Sequence, residues 1–147
     1  MPNYAENRKA RFNYEILEKY EAGIELLGME VKSVRNGQMS LEGAFVIIRG
    51  GEAFLINSSI PPYQPHNTEK DYDSLRNKKL LLTKKEIATL AGSEKNKSLT
   101  IVPISVYNKG KKIKVEIALV KGKKKQDKRE TIKKRETDRE IRRTLKI

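Results

Sequence analysis

Leu99-Thr100-Ile101-Val102-Pro103-Ile104-Ser105-Val106-Tyr107, then Asn108-Lys109-Gly110, then Lys111-Lys112-Ile113-Lys114-Val115-Glu116-Ile117-Ala118-Leu119-Val120: the fold class turns on this stretch. In its second half Ile113, Val115, Ile117 and Leu119 alternate with Lys112, Lys114 and Glu116. Successive side chains of a strand point to opposite faces, so this is a strand with one face in a core and one in water. Asn108-Lys109-Gly110 supplies the turn that makes the two runs an antiparallel hairpin.

The remaining segments repeat the theme in shorter form. Phe45 to Arg49 and Ala53 to Ile56 flank Gly50-Gly51, the signature of a tight hairpin. Phe12 to Leu17 alternates like a strand. Glu21-Ala22-Gly23 reads as a break, and Ile24 to Gly28 as a second strand. Glu30 to Asn36 is expected to be one short helix, ended by Gly37. Pro61, Pro62 and Pro65 stiffen a polar loop that runs to Ser74. Lys79 to Leu82 suits a short strand or the approach to a helix. Thr83 and Glu86 then form a capping box ahead of Ile87, Leu90 and Ala91. Six or so antiparallel strands with short helices imply a mainly β chain, a small closed antiparallel OB-like β-barrel over residues 1–120. Closure removes the exposed sheet edges.

Residues 121–147 are different in kind. They carry 13 Lys or Arg against 5 Asp or Glu, which is +8 of the chain's +13. Glu130 with Lys134 and Asp138 with Arg142 have helical spacing, acid first. With no apolar stripe to bury, this basic C-terminal tail is expected to stay unfolded until an anionic partner neutralises it. A packed body with a cationic tail suits a protein that grips a polyanion twice. Nucleic acid is favoured over lipid, because the tail offers only Ile132, Ile141, Leu145 and Ile147 as apolar residues. No run approaches the ~20 apolar residues that span a bilayer, and Met1 to Glu6 has no secretion-signal core. The 147 residues include no cysteine, which fits a cytoplasmic location and excludes disulfides, thiol nucleophiles and Cys-ligated zinc.

Catalytic chemistry finds no foothold. His66 is the single histidine, in a polar loop without a positioned partner. Ser58-Ser59 has no base nearby in sequence. Gly50-Gly51 lacks the Gly-Lys-Ser/Thr continuation of a phosphate cradle. A non-enzymatic protein without cofactor or metal is expected. Candidate binding residues lie elsewhere. Arg8, Lys9 and Arg11 adjoin Phe12 and Tyr14, so phosphate contact and base stacking are available. A core role is favoured for Tyr14 and stays open for Phe12. On spacing alone, Glu21 reads more readily as a turn cap than as an acceptor for a base edge.

Six blocks in order carry a resemblance: Asn7-Arg8-Lys9-Ala10-Arg11, Tyr20-Glu21-Ala22-Gly23-Ile24, Gly28 to Arg35, Gly51 to Leu55, Lys78 to Leu82, and Lys121 to Arg129. Residues 7 to about 146 resemble the SsrA-binding protein (small protein B) family, the bacterial partners of transfer-messenger RNA. The resemblance implies an OB-like barrel that binds the tRNA-like domain of that RNA. It implies delivery, with elongation factor Tu, to ribosomes stalled on truncated messages, where tagging of the nascent chain follows. It also implies that the tail enters the decoding centre and mRNA channel and becomes helical there. By position, Asn7, Arg8, Lys9 and Glu21, with Leu81 in support, belong to the RNA-binding surface. Lys121, Lys123 and Lys124 extend it, and Asp127, Lys128 and Arg129 belong to the ribosome-binding motif. The resemblance therefore sets aside the turn-cap reading of Glu21. Phe12 and Gln126 stand where members often have His, and Thr83 where some have Asn. An OB-type ribosomal or translation-factor module would share the basic barrel and tail.

Overall fold

Seven strands and three helices form among the residues described, 3–63 and 72–122 of a computed structural model. The strands are β1 (Ala5–Glu6), β2 (Tyr14–Ile24), β3 (Phe45–Arg49), β4 (Glu52–Ile56), β5 (Lys78–Leu81), β6 (Leu99–Lys109) and β7 (Lys112–Gly122). The helices are α1 (Arg8–Asn13), α2 (Gly28–Arg35) and α3 (Lys84–Glu94). Every pairing is antiparallel. The order β6-β3-β4-β5-β2-β7 returns to β6, so the pairings run in a ring, with β1 added to β6. The β3–β4 connection is a two-residue turn in which Gly50 (φ 59°) and Gly51 (φ 74°) both take the left-handed conformation. This is a conformation only glycine adopts freely.

The alternation expected along β7 is observed. Ile113, Val115, Ile117 and Leu119 join the main core with Leu41, Leu55, Ile60, Leu80 and Ile101. Ala118 and Val120 are buried too, on the other face, with Val102, Ile104 and Ala10 of α1. A strand covered on both faces reads as a continuous apolar run rather than a strict alternation. The helix that covers this second face was not foreseen, and Phe12 lies in it rather than in a strand. The break expected at Glu21-Ala22-Gly23 is also absent. β2 runs straight through these residues, pairing first with β7 and then with β5. Gly23 is there for space, since a Cβ on it would stand 3.2 Å from Leu81 Cβ. The second strand expected over Ile24 to Gly28 does not form; Ile24 ends β2 and Gly28 opens α2. Lys78–Leu81 is a strand, and β7 continues past Val120 so that Lys121 pairs with Glu15 and Leu99.

α2 and α3 are tied at their N-termini by side-chain bonds, and α1 is not. Thr83 Oγ1 accepts from the Glu86 N–H, and Glu86 accepts from the Thr83 N–H, the capping box read from sequence. Gly37 (φ 75°) follows α2 and its N–H bonds Val34 O at 2.9 Å. Glu30 in α2 is fully buried, and its carboxylate accepts from Leu27 N–H, Tyr72 Oη and the Arg76 guanidinium. Lys78 is equally buried. Its Nζ stands 2.7 Å from Ser58 O and 3.0 Å from Ser58 Oγ.

Two acceptors match the two N–H groups of a neutral amine, and burial pushes the Lys78 pKa down to about 8 from 10.5. Between those values the unfolded chain holds a proton that the folded chain has lost, so stability rises with pH there. Urea unfolding of wild type and Lys78→Met should therefore diverge from pH 8 to pH 10, the wild type gaining. Parallel profiles would show that Lys78 does not titrate in this window.

Candidate nucleic-acid interface

The site follows from strand register. On the outer surface Glu21 of β2 stands opposite Glu116 of β7, which stands opposite Ser105 of β6. One pair along, Gly23 faces Lys114, which faces Tyr107. The diagonal from Tyr107 to Glu21 therefore crosses β7 between Lys114 and Glu116. Tyr107 Oη donates to Glu21 Oε2 at 2.5 Å, and Lys109 Nζ donates to Glu21 Oε1 at 2.9 Å. The tyrosine hydrogen bond first, then that of Lys109, holds the Glu21 carboxyl below the usual carboxylate range. Burial, then the bond to Glu21, raises Tyr107.

These three residues line a concavity of about 750 Å³ together with Asn7, Arg8, Lys19 and Ser105. Asn7 is fixed by a bulge in β6. The register shifts between Pro103 and Ser105, and the carbonyls left over are taken by Asn7. Its Nδ2 donates to Pro103 O at 3.0 Å and its N–H to Ile104 O at 2.8 Å. The Arg8 side chain is almost wholly exposed (91%), with Nε 4.0 Å from Glu6 Oε2. Lys19 pairs with Glu116 at 3.6 Å.

A second concavity of about 890 Å³ shares Glu6, Asn7 and Arg8 with this groove and is lined further by Lys9, Asn13, Tyr14, Phe45 and Thr100. Lys9 Nζ donates to Glu42 Oε1 at 2.8 Å, which raises the lysine and lowers the glutamate. Arg11 lies in α1; Phe12 is half-buried there and lines neither concavity. Leu81 is half exposed and lies over Gly23, two residues from Glu21 on the same face of β2. It borders a shallow apolar depression with Ile24, Leu26 and Val31, rimmed by Arg35, Lys111, Lys112 and Lys114. Lys121 is exposed at the end of β7 and lines neither concavity.

The structure thus brings Asn7, Arg8 and Glu21 together, sets Leu81 over Gly23 near Glu21, and places Lys9 in the adjoining concavity that Asn7 and Arg8 also line. Glu21 is not a turn cap; it sits inside a strand. Lys123, Lys124, Gln126, Asp127, Lys128, Arg129 and His66 lie outside the described residues. Sequence reading missed Tyr107, Lys109 and Lys19. The signal for Tyr107 was its parity, opposite Lys114, in a hairpin already recognised. Among the described residues no group of three or more His, Cys, Asp or Glu could hold a metal ion. No described helix is long and apolar enough to cross a membrane.

A ring of strands here bears an anchored carboxylate with exposed cations around it, a face suited to a polar ligand. The family described as SmpB protein matches residues 4–147, and the chain belongs to that family. An SsrA-binding protein of Enterococcus faecalis is 52% identical over 142 residues, covering 97% of this chain and 92% of the relative. One from a Sulfurihydrogenibium species is 54% identical over 142 residues, 97% and 93% of the two chains. A chain from a solved tmRNA–SmpB structure concerned with the bacterial ribosome is 43% identical, with a TM-score of 0.68, covering 86% of this chain and 92% of that one.

The carboxylate can be checked directly. Carbon-detected NMR titration should place Glu21 below an ordinary glutamate, and Tyr107→Phe should move it back up. A Glu21 midpoint unchanged by that substitution would mean the tyrosine contact is absent in solution.

Proposed function

We propose that this chain is a non-enzymatic RNA-binding adaptor that binds the tRNA-like domain of transfer-messenger RNA and delivers it to stalled ribosomes for trans-translation. The observation that carries the reading is the convergence of Asn7, Arg8 and Glu21 with Tyr107 and Lys109, remote from them in sequence, in one groove of a chain of the SmpB family. The relatives are named for binding SsrA, and one solved relative belongs to a tmRNA–SmpB study of the ribosome. Chemistry supports the same division of labour. Cations such as Arg8 and Lys9 position an RNA through its phosphates, while Glu21 and the Asn7 carbonyl accept from bases or 2′-hydroxyls.

In this reading the ring of strands is an OB-like barrel, and Leu81 gives the RNA an apolar contact beside Glu21. Lys121, Lys123 and Lys124 extend the RNA-binding surface, and residues 121–147 act as a separate tail. The tail carries Asp127, Lys128 and Arg129 to the decoding centre and mRNA channel and folds into a helix there. Elongation factor Tu accompanies the complex, in the cytoplasm.

Truncation after Lys125 should leave binding of the tRNA-like RNA near normal and abolish tagging in a reconstituted translation system; normal tagging would refute the role of the tail. The logarithm of the affinity should also fall by about 0.7–0.9 per neutralised phosphate for each tenfold rise in salt. Arg8→Ala should remove about one such increment without altering preference for the tRNA-like RNA over an arbitrary hairpin. An unchanged slope would place Arg8 away from phosphate.

A further inference from the structure

We infer that Glu21 and Lys109, with Tyr107 as the positioning residue, form a receptor for the Watson–Crick edge of an unpaired guanine in the bound RNA. The inference rests on the RNA-binding reading and adds which group of the RNA is read. Along the groove the order is Tyr107 Oη, Glu21 Oε2, Glu21 Oε1, Lys109 Nζ. A carboxylate oxygen offers two lone pairs, so each Glu21 oxygen keeps acceptor capacity beyond its present donor. Lys109 has two further N–H donors after its bond to Oε1. The free functions therefore run acceptor, acceptor, donor.

Guanine is the complement. Its edge presents N2–H, N1–H and O6 in that order, two adjacent donors and then an acceptor. Adenine presents one amino group beside an acceptor nitrogen. Cytosine presents one amino group beside two acceptors, and uracil one N–H between two carbonyls. Aligned over the same three positions, each would set an acceptor against a carboxylate oxygen, and only guanine fills all three. A base-paired guanine has this edge occupied, so the ligand is a guanine of a loop or bulge.

The surroundings favour a fixed, ionised Glu21. Tyr107 and Lys109 both donate to it, and Lys114 lies opposite Gly23 two residues along β2. The one like charge directly opposite, Glu116, has Lys19 at 3.6 Å. Two donors on two oxygens stop the carboxylate rotating, which presents both acceptors in one plane as the flat edge of a base requires. Tyr107 acts through Glu21, and its loss should weaken discrimination more than overall binding.

The test is inosine interference on the tRNA-like domain of transfer-messenger RNA, since inosine lacks only the N2 amino group. With wild-type protein, inosine at one unpaired guanine should weaken binding about tenfold, as for loss of a bidentate base contact. With Glu21→Gln the same substitution should cost under about twofold, and with Tyr107→Phe an intermediate amount, a coupling that a merely structural role would not produce. Wild-type binding without interference at any unpaired guanine overturns the inference. So does interference that persists in both variants, or interference by 2′-deoxy substitution alone. If the wild-type protein prefers the tRNA-like RNA no more than an arbitrary hairpin, the RNA reading falls and the inference falls with it.

Discussion

β7 is hydrogen-bonded along its length on both sides, to β2 and to β6. Nearly everything else follows from the register of those two ladders. They join the ends of the sheet, and they set β2's Glu21 one strand away from β6's Tyr107. A slip of one residue in the β2–β7 ladder would turn Glu21 into the core and Ala22 out to solvent, because the side-chain period is two. Burial of Ala22, Val115, Ile117 and Val106 on the inner face opposes that slip, so the hydrophobic core specifies the binding surface.

Much of this was legible from residues, for reasons that differ by element. The β6–β7 hairpin was plain because alternation on a half-buried strand is a strong signal. The Gly50-Gly51 turn and the Thr83–Glu86 cap were plain because each depends on local chemistry that few other residues supply. α1 was hidden. Its six residues carry no capping side chain, and Phe12-Asn13-Tyr14 alternates as a strand would. Its existence is tertiary, an Ala10 pressed onto Val102, Ile104, Ala118 and Val120. Glu21-Ala22-Gly23 misled for a related reason. Small residues at that point permit close approach by Leu81, a packing need that looks like a turn signal in one dimension. The binding face was half legible: the resemblance brought Asn7, Arg8 and Glu21 forward, but only register could join Tyr107 and Lys109 to them.

The charges on that face are poised to change partners. Lys9–Glu42, Lys19–Glu116 and Arg8–Glu6 are ion pairs with substantially exposed members. Exposed pairs are screened by water and contribute little to stability, so a phosphate can replace the acid at little cost. Glu30 with Arg76 is of another kind: its carboxylate is fully enclosed and receives three different donors. Breaking such a pair costs about 3–5 kcal/mol, so it belongs to the architecture and not to the exchangeable surface.

That buried glutamate has a structural consequence. Ser33 Oγ donates to Pro61 O at 2.7 Å, and Tyr72 Oη stands 2.8 Å from both Ile60 O and a Glu30 oxygen. The chain is thus clamped just before and just after residues 64–71, with the two clamps next to each other. One phenolic hydroxyl, that of Tyr72, ties Ile60 to the buried carboxylate of α2, so two stretches of chain distant in sequence hang on a single group.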